Sequence, residues 1–342
     1  MRNWKNKRGA FLKYITLFCL LFIVACNSEN ETKQPDLPKE SVNIDVPEFN
    51  ADSAYSYIEK QISFGPRVPN TLSHAACAEW LVSTFSKFAD TVIVQASQVK
   101  AYNGTILNFK NIIASFNPEN SKRIILAAHW DTRPYSDQDK DQSKWRTPID
   151  GANDGGSGVA ILLELARVLS ANKPELGIDI ILFDAEDYGQ PGFSDLPQIE
   201  HSYCLGSQYW SKNKHVPNYN AKYGILLDMV GAKNSTFLLE GFSMQVHPEL
   251  MRKVWNKAHQ LGHTQYFLFQ KTSPITDDHY YVSTIGNIPM IDIISLHPQN
   301  LYSFHESWHT QKDNLTVIDK NVLGAVGETL LHVIYLENEN KF

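Results

Sequence analysis

His129 and Asp131 in Ala128-His-Trp-Asp131, Asp154 in Gly151-Ala-Asn-Asp-Gly-Gly-Ser157, the pair Glu186-Asp187, Asp228, and His309 in Trp308-His-Thr310 are the chain's chemical candidates. Imidazoles and carboxylates are ligand types that zinc accepts readily. Each residue alone has an ordinary explanation. An Asp behind a strand often caps the next helix, and a lone His is usually a satisfied polar group. Together they form a set of imidazole and carboxylate ligands suited to zinc.

Such residues must be brought together by the elements that precede them. The apolar runs 123–128, 178–183, 223–227 and 288–294 read as buried strands, the first three leading directly into His129, Asp184 and Asp228. Between the first two, Val159, Leu162, Leu163, Ala166 and Leu169 follow helical spacing over 158–170, directly behind the glycine loop. Strand, loop, helix, strand implies an α/β domain with crossover helices. In such sheets ligands bind outside the carboxyl ends of the strands, where His129, Asp154, Glu186, Asp187 and Asp228 all fall. Flanking helices are expected over 52–61, 73–88, 247–261 and 322–335, and 135–149, polar and aperiodic, reads as a surface loop at the rim of the site.

The order of these motifs resembles the zinc exopeptidase superfamily, which contains the M28-type aminopeptidases and the animal-type glutaminyl cyclases with their bacterial relatives. The resemblance runs from about Ala51 to the end. It is carried by Ala128-His-Trp-Asp131, Asp150-Gly-Ala-Asn-Asp-Gly-Gly-Ser-Gly158, Phe183-Asp-Ala-Glu-Asp187, Leu227-Asp-Met229, Thr276-Asp-Asp-His279 and Trp308-His-Thr310. It implies a single domain with a mostly parallel mixed central sheet flanked by helices. In the aminopeptidases the positions of His129, Asp154, Asp187, Asp228 and His309 hold two metals, Asp154 bridging. In the cyclases Asp154, Asp187 and His309 would hold one Zn2+, with Glu186 as the general acid and base.

Phe304-His-Glu-Ser-Trp308-His309 is similar to the cyclase segment in which a Trp precedes the zinc His and a Phe four residues earlier lines the same pocket. Ile275-Thr-Asp-Asp-His279 is similar to the cyclase strip whose first Asp, here Asp277, hydrogen-bonds the catalytic Glu. The resemblance therefore implies a glutaminyl-peptide cyclotransferase acting on peptides or exported proteins with N-terminal Gln, the di-zinc aminopeptidase being the alternative. Glu186, Asp277 and Asp228 form the expected catalytic group, with Asp277 and Asp228 raising the pKa of Glu186 by like-charge coupling. Trp308, Phe304, His129 and Phe193 form the expected pocket, Phe193 standing in for a Trp that cyclases often carry after the acidic pair. Glu186-Asp187 replaces the more usual Glu-Glu, so the second ligand is one methylene shorter and its backbone must approach the metal more closely.

The 342 residues carry a net charge of −6, and Lys and Arg do not cluster beyond residue 13, so no basic field exists for nucleic acid. Residues 1–25 combine a basic start with an apolar run too short to span a bilayer comfortably, and read as an export signal. That run ends Ile23-Val24-Ala25-Cys26, which resembles a bacterial lipobox. Lipid on Cys26 would be the only membrane contact of a lipoprotein on the periplasmic side of a membrane or cell envelope. Residues 26–45, polar and Pro-containing, read as a tether, and 46–342 as the catalytic domain. Cys77 and Cys204 then remain in a compartment that permits disulfides, and the spacing leaves a bridge and two buried thiols equally open.

Overall fold

The computed structural model describes residues 44–297, 299 and 304–342. The expected export signal, Cys26 and most of the expected tether lie outside the described residues. In chain order the elements are α1 (Ala51–Ile62), α2 (Leu72–Phe85), β1 (Thr91–Lys100), β2 (Ile106–Phe116), β3 (Arg123–His129), α3 (Gly156–Ala171), β4 (Gly177–Phe183) and α4 (Leu205–Lys212). There follow β5 (Gly224–Asp228), β6 (Phe237–Leu239), α5 (Ser243–Val246), α6 (Pro248–Gln260), β7 (Phe267–Lys271), α7 (Asp278–Thr284), β8 (Met290–Ile294) and α8 (Lys320–Asn338).

Six strands make one sheet in the order β1-β2-β4-β3-β5-β8, while β6 and β7 pair separately. The β1/β2 and β2/β4 pairs are antiparallel; β3/β4, β3/β5 and β5/β8 are parallel. The expected mixed, largely parallel sheet flanked by helices is what the chain forms.

Its parallel centre is apolar on both faces because helices cover both. Ile124, Leu126 and Ala128 of β3 join Ile178, Ile180 and Leu182 of β4 in the larger core, with residues of α1, α2, α3, α6 and α8. The alternate residues Ile125, Ala127, Ile181 and Phe183 face the other way, against Trp210 of α4 and Val282 of α7. This two-residue alternation is why uninterrupted apolar runs were needed. α3, buried from Gly156 to Ala166, is the crossover between β3 and β4 and packs through its apolar body rather than one stripe.

Parallel register places the functional ends side by side. His129 pairs with Phe183, so the last residue of β3 lies beside the turn into Glu186-Asp187. Asp228 pairs with Ile294 at the same edge of β8. Among the described residues, no helix is long and apolar enough to cross a membrane.

Candidate active site and metal centre

The glycine loop before α3 is held by Arg67 and Asp313. Arg67, fully buried, donates from Nε to the Trp130 carbonyl at 3.0 Å, from Nη1 to that of Asp150 at 2.8 Å and from Nη2 to that of Gly151 at 2.7 Å. Asp313 accepts the backbone N–H groups of Asn153 and Asp154 at 2.8 and 3.0 Å. Gly155 has φ +76°, and a Cβ there would lie 2.9 Å from the His129 ring, so only glycine lets Asp154 sit this close to the end of β3. Burial and the like charge of Asp154 push Asp313 up to about 8.

Asp131 holds the acidic pair by its backbone, accepting the N–H of Glu186 at 3.0 Å and that of Asp187 at 3.1 Å. Its place in the structure is thus beneath the candidate ligands. Ala185, Met229 and His309, which precede, follow or form site residues, all adopt left-handed backbone conformations with φ of 54°, 51° and 54°. For side-chain-bearing residues this costs on the order of 1–3 kcal/mol each and concentrates at functional sites.

Asp154, Asp187 and His309 converge, with one candidate ligand atom from each lying within 4.8 Å of the others. His309 Nε2 is 3.1 Å from Asp187 Oδ1 and 3.7 Å from Asp154 Oδ2. His129, Asp154 and Asp228 form an adjoining group, in which His129 Nε2 lies 3.0 Å from Asp154 Oδ1 and 3.2 Å from Asp228 Oδ1.

The residues present fit a dication. Oδ2 of Asp154 and Oδ2 of Asp187 are buried without a hydrogen-bond partner, an arrangement that leaves expensive polar atoms unsatisfied unless something cationic meets them. Burial and the neighbouring Asp154 push Asp187 up to about 6. Burial, with Asp154 and Asp277 adding to it and the His129 hydrogen bond opposing, pushes Asp228 up to about 7. Both shifts are led by burial, with neighbouring carboxylates adding to it.

Glu186 stands beside this cluster. Burial drives its pKa well above the usual carboxylate range, with Asp187, Asp277 and Asp278 adding repulsion and His129 opposing. The Cys204 thiol donates to Glu186 Oε1 at 3.2 Å and lies 3.9 Å from Asp277 Oδ1. The contact between Glu186 and Asp277 expected from the sequence therefore runs past an intervening sulfur. Cys77 and Cys204 are both free and buried, which resolves the open question in favour of two thiols.

A cavity of about 500 Å³ opens over these groups, lined among others by Glu186, Asp228, Asp277, Phe304, Trp308 and His309. The Trp308 ring stacks on His309 at 3.9 Å between centroids and 25° between planes, and Phe304 meets Trp308 at 4.7 Å. His129 lies below the cavity rather than in its wall, engaged with Asp154 and Asp228. The assignment of Phe193 to the pocket is corrected. Its ring stacks on Trp145 at 5.8 Å, meets Tyr135 edge-on at 5.4 Å and lies under Arg146. Those partners belong to the loop that follows β3, and Phe193 is not among the residues lining the cavity.

Comparison with known proteins agrees with this geometry. The chain is similar to the Zn-dependent exopeptidase of Parabacteroides distasonis, with 54% identity and a TM-score of 0.84 over 85% of this chain and 99% of that one. It is 51% identical, with a TM-score of 0.83, to the glutaminyl cyclase of Bacteroides thetaiotaomicron solved with N-acetylhistamine, covering 85% of this chain and 99% of the other. The glutaminyl-peptide cyclotransferase of Drosophila melanogaster is 27% identical over 279 residues, 74% of this chain and 72% of its own. From residue 111 to residue 334, a span that takes in the glycine loop, the acidic pair and the Trp-His dipeptide, the sequence matches the model of peptidase family M28, and the chain belongs to that family.

Proposed function

We propose that this chain is a zinc-dependent glutaminyl-peptide cyclotransferase, converting the N-terminal glutamine of peptides or exported proteins to pyroglutamate with release of ammonia. The observation that carries this reading is the small aromatic slot: Trp308 stacked on His309, with Phe304 against it, directly beside Glu186. Apolar walls of this size hold the methylenes of one side chain and exclude water. The similarity to enzymes named glutaminyl cyclases supports the same reading.

Cyclisation forms a bond from the α-nitrogen to the γ-carbon and breaks the γ-carbon's bond to the amide nitrogen. Asp154, Asp187 and His309 would hold zinc, which supplies Lewis-acid polarisation of the γ-carbonyl. Glu186 takes a proton from the α-amine and delivers it to the departing nitrogen, a role suited to a carboxylate whose pKa burial has raised. Asp277 and Asp228 keep that pocket acidic and orient the amine. The three-residue group is supported as a single-zinc site by its unpaired Asp154 and Asp187 oxygens, whereas in the adjoining group His129 Nε2 lies directly against Asp228 Oδ1 and Asp154 Oδ1.

That second group of ligand-type residues is what favours a di-zinc aminopeptidase as the competing reading. Mass spectrometry of a Gln-peptide separates the two. Loss of one ammonia with the sequence otherwise intact is expected; release of free glutamine would overturn cyclisation.

We also infer that lipid on Cys26 tethers the protein to the periplasmic side of a membrane, on the lipobox-like Ile23-Val24-Ala25-Cys26. Cys26→Ser is expected to move the protein from the membrane fraction to the soluble one and to stop incorporation of labelled palmitate. Unchanged fractionation would sink the anchor.

A further inference from the structure

The ring of His309 has carboxylates beside both of its nitrogens, and Nδ1 is buried without a hydrogen bond. Nε2 faces Asp187 and Asp154, while Nδ1 lies 3.2 Å from Oδ1 of Asp137. Asp137 comes from the loop after β3, a segment whose polar, aperiodic sequence gives no sign of burial, yet its side chain is only 5% exposed. It is gripped by Arg133, which is 0% exposed and donates from Nε to Asp137 Oδ1 at 3.0 Å and from Nη2 to Oδ2 at 2.7 Å. The remaining arm, Nη1, donates to the carbonyls of Asp187 at 2.9 Å and Gly189 at 3.0 Å. One rigid guanidinium thereby ties the carboxylate behind His309 to the backbone of a second candidate ligand. The same loop also fixes His309 through its main chain, Gln138 N–H donating to the His309 carbonyl at 3.1 Å.

We propose that Asp137, clamped by Arg133, is a positioning residue for the metal centre: it accepts the Nδ1 proton of His309 and so presents the Nε2 lone pair to the ion shared with Asp154 and Asp187. A histidine that donates one ring N–H to a carboxylate has its tautomer and ring orientation set and its other nitrogen made more basic. Two features make the clamp more than a structural ion pair. The carboxylate reaches the ligand's free nitrogen, and its arginine reaches the ligand pair's backbone from the same side. The left-handed backbone at His309, φ 54°, is then the strain the clamp sustains. The inference rests on the zinc reading of these three ligands.

Metal affinity, not turnover, tests it. Zinc is titrated into the metal-free protein in competition with a chromophoric chelator at fixed pH, and thermal melting is followed with and without metal. Asp137→Asn is expected to weaken zinc about 10–100-fold, and the metal-free melt reports separately the stability lost by uncoupling Arg133. Asp141→Asn, an exposed change on the same loop, should leave the affinity unaltered. Because Asp137→Asn strands the buried Arg133, the double variant Arg133→Met/Asp137→Asn removes the pair together and should weaken zinc at least as much. In zinc-loaded wild type, nitrogen NMR should show His309 protonated at Nδ1. Wild-type zinc affinity in both variants would overturn the positioning role and leave the zinc site standing. A wild-type protein that takes up no zinc would instead overturn the metal reading, and the positioning role with it.

Discussion

Replacing Glu186 with Gln is expected to lower turnover of a Gln-peptide by about 10²–10⁴-fold and to leave the zinc content at its wild-type value. The amide keeps the shape of the side chain and can still accept from the Cys204 thiol, which now reaches Glu186 at 3.2 Å. It cannot carry a proton from the α-amine to the leaving nitrogen. The metal should be indifferent to the change because Asp187 is placed by backbone contacts that Glu186's side chain does not make. Asp131 accepts the N–H of both residues, and Arg133 holds the Asp187 carbonyl. Ammonia release and metal content measured on one preparation check both halves. A Glu186→Gln protein retaining more than a tenth of wild-type turnover would remove the residue from the proton path; one that had lost its zinc would make Glu186 a support of the site instead.

What could be read from the sequence divides along a physical line. The central strands were legible because a parallel sheet covered on both faces demands unbroken apolar runs, and β3, β4 and β5 end in or next to His129, Glu186-Asp187 and Asp228. β1 was missed for the opposite reason. It is an edge strand of the sheet, its side chains are exposed or half-buried, and Gln95, Ser97 and Gln98 interrupt the apolar count. β2 was missed along with its hairpin partner, and α4 and α7 were too short, at 8 and 7 residues, for a periodic pattern to register.

In the site, residues whose own type announces chemistry were found, and those that act by holding others were not. Arg67 meets the carbonyls of Trp130 and Gly151 across 63 and 84 residues of chain, and Asp313 meets Asn153 across 160. Nothing local distinguishes such residues from solvated loop charges. Asp137 and Arg133 lie only four apart, but the rim loop they begin is exposed farther along, at Lys140 to Lys144, and that polar stretch dominated the reading. The only available signal was an arginine and an aspartate immediately after a ligand-bearing strand. The left-handed turns at Ala185, Met229 and His309 carried none, since no glycine marks them.

Metal stoichiometry in two isosteric variants gives the second large effect and decides how many ions the centre holds. Asp187→Asn removes an anionic ligand from the group that has unpaired oxygens. The purified protein should then lose its zinc and, with it, activity by a factor that reflects several kcal/mol of charge stabilisation, on the order of 10²–10⁴. Excess zinc should restore part of it, because Asp154 and His309 remain 3.7 Å apart and can still meet an ion. Asp228→Asn behaves differently if the site takes one zinc. His129 Nε2 keeps its 3.0 Å contact with Asp154, the unpaired oxygens of Asp154 and Asp187 are untouched, and one equivalent of zinc should remain bound. Its turnover should fall nonetheless, since Asp228 lines the same cavity as Glu186. A wild-type protein with two equivalents that drops to one in Asp228→Asn would identify the His129 group as a second metal position, and the aminopeptidase reading would then account for the ligands better than cyclisation does.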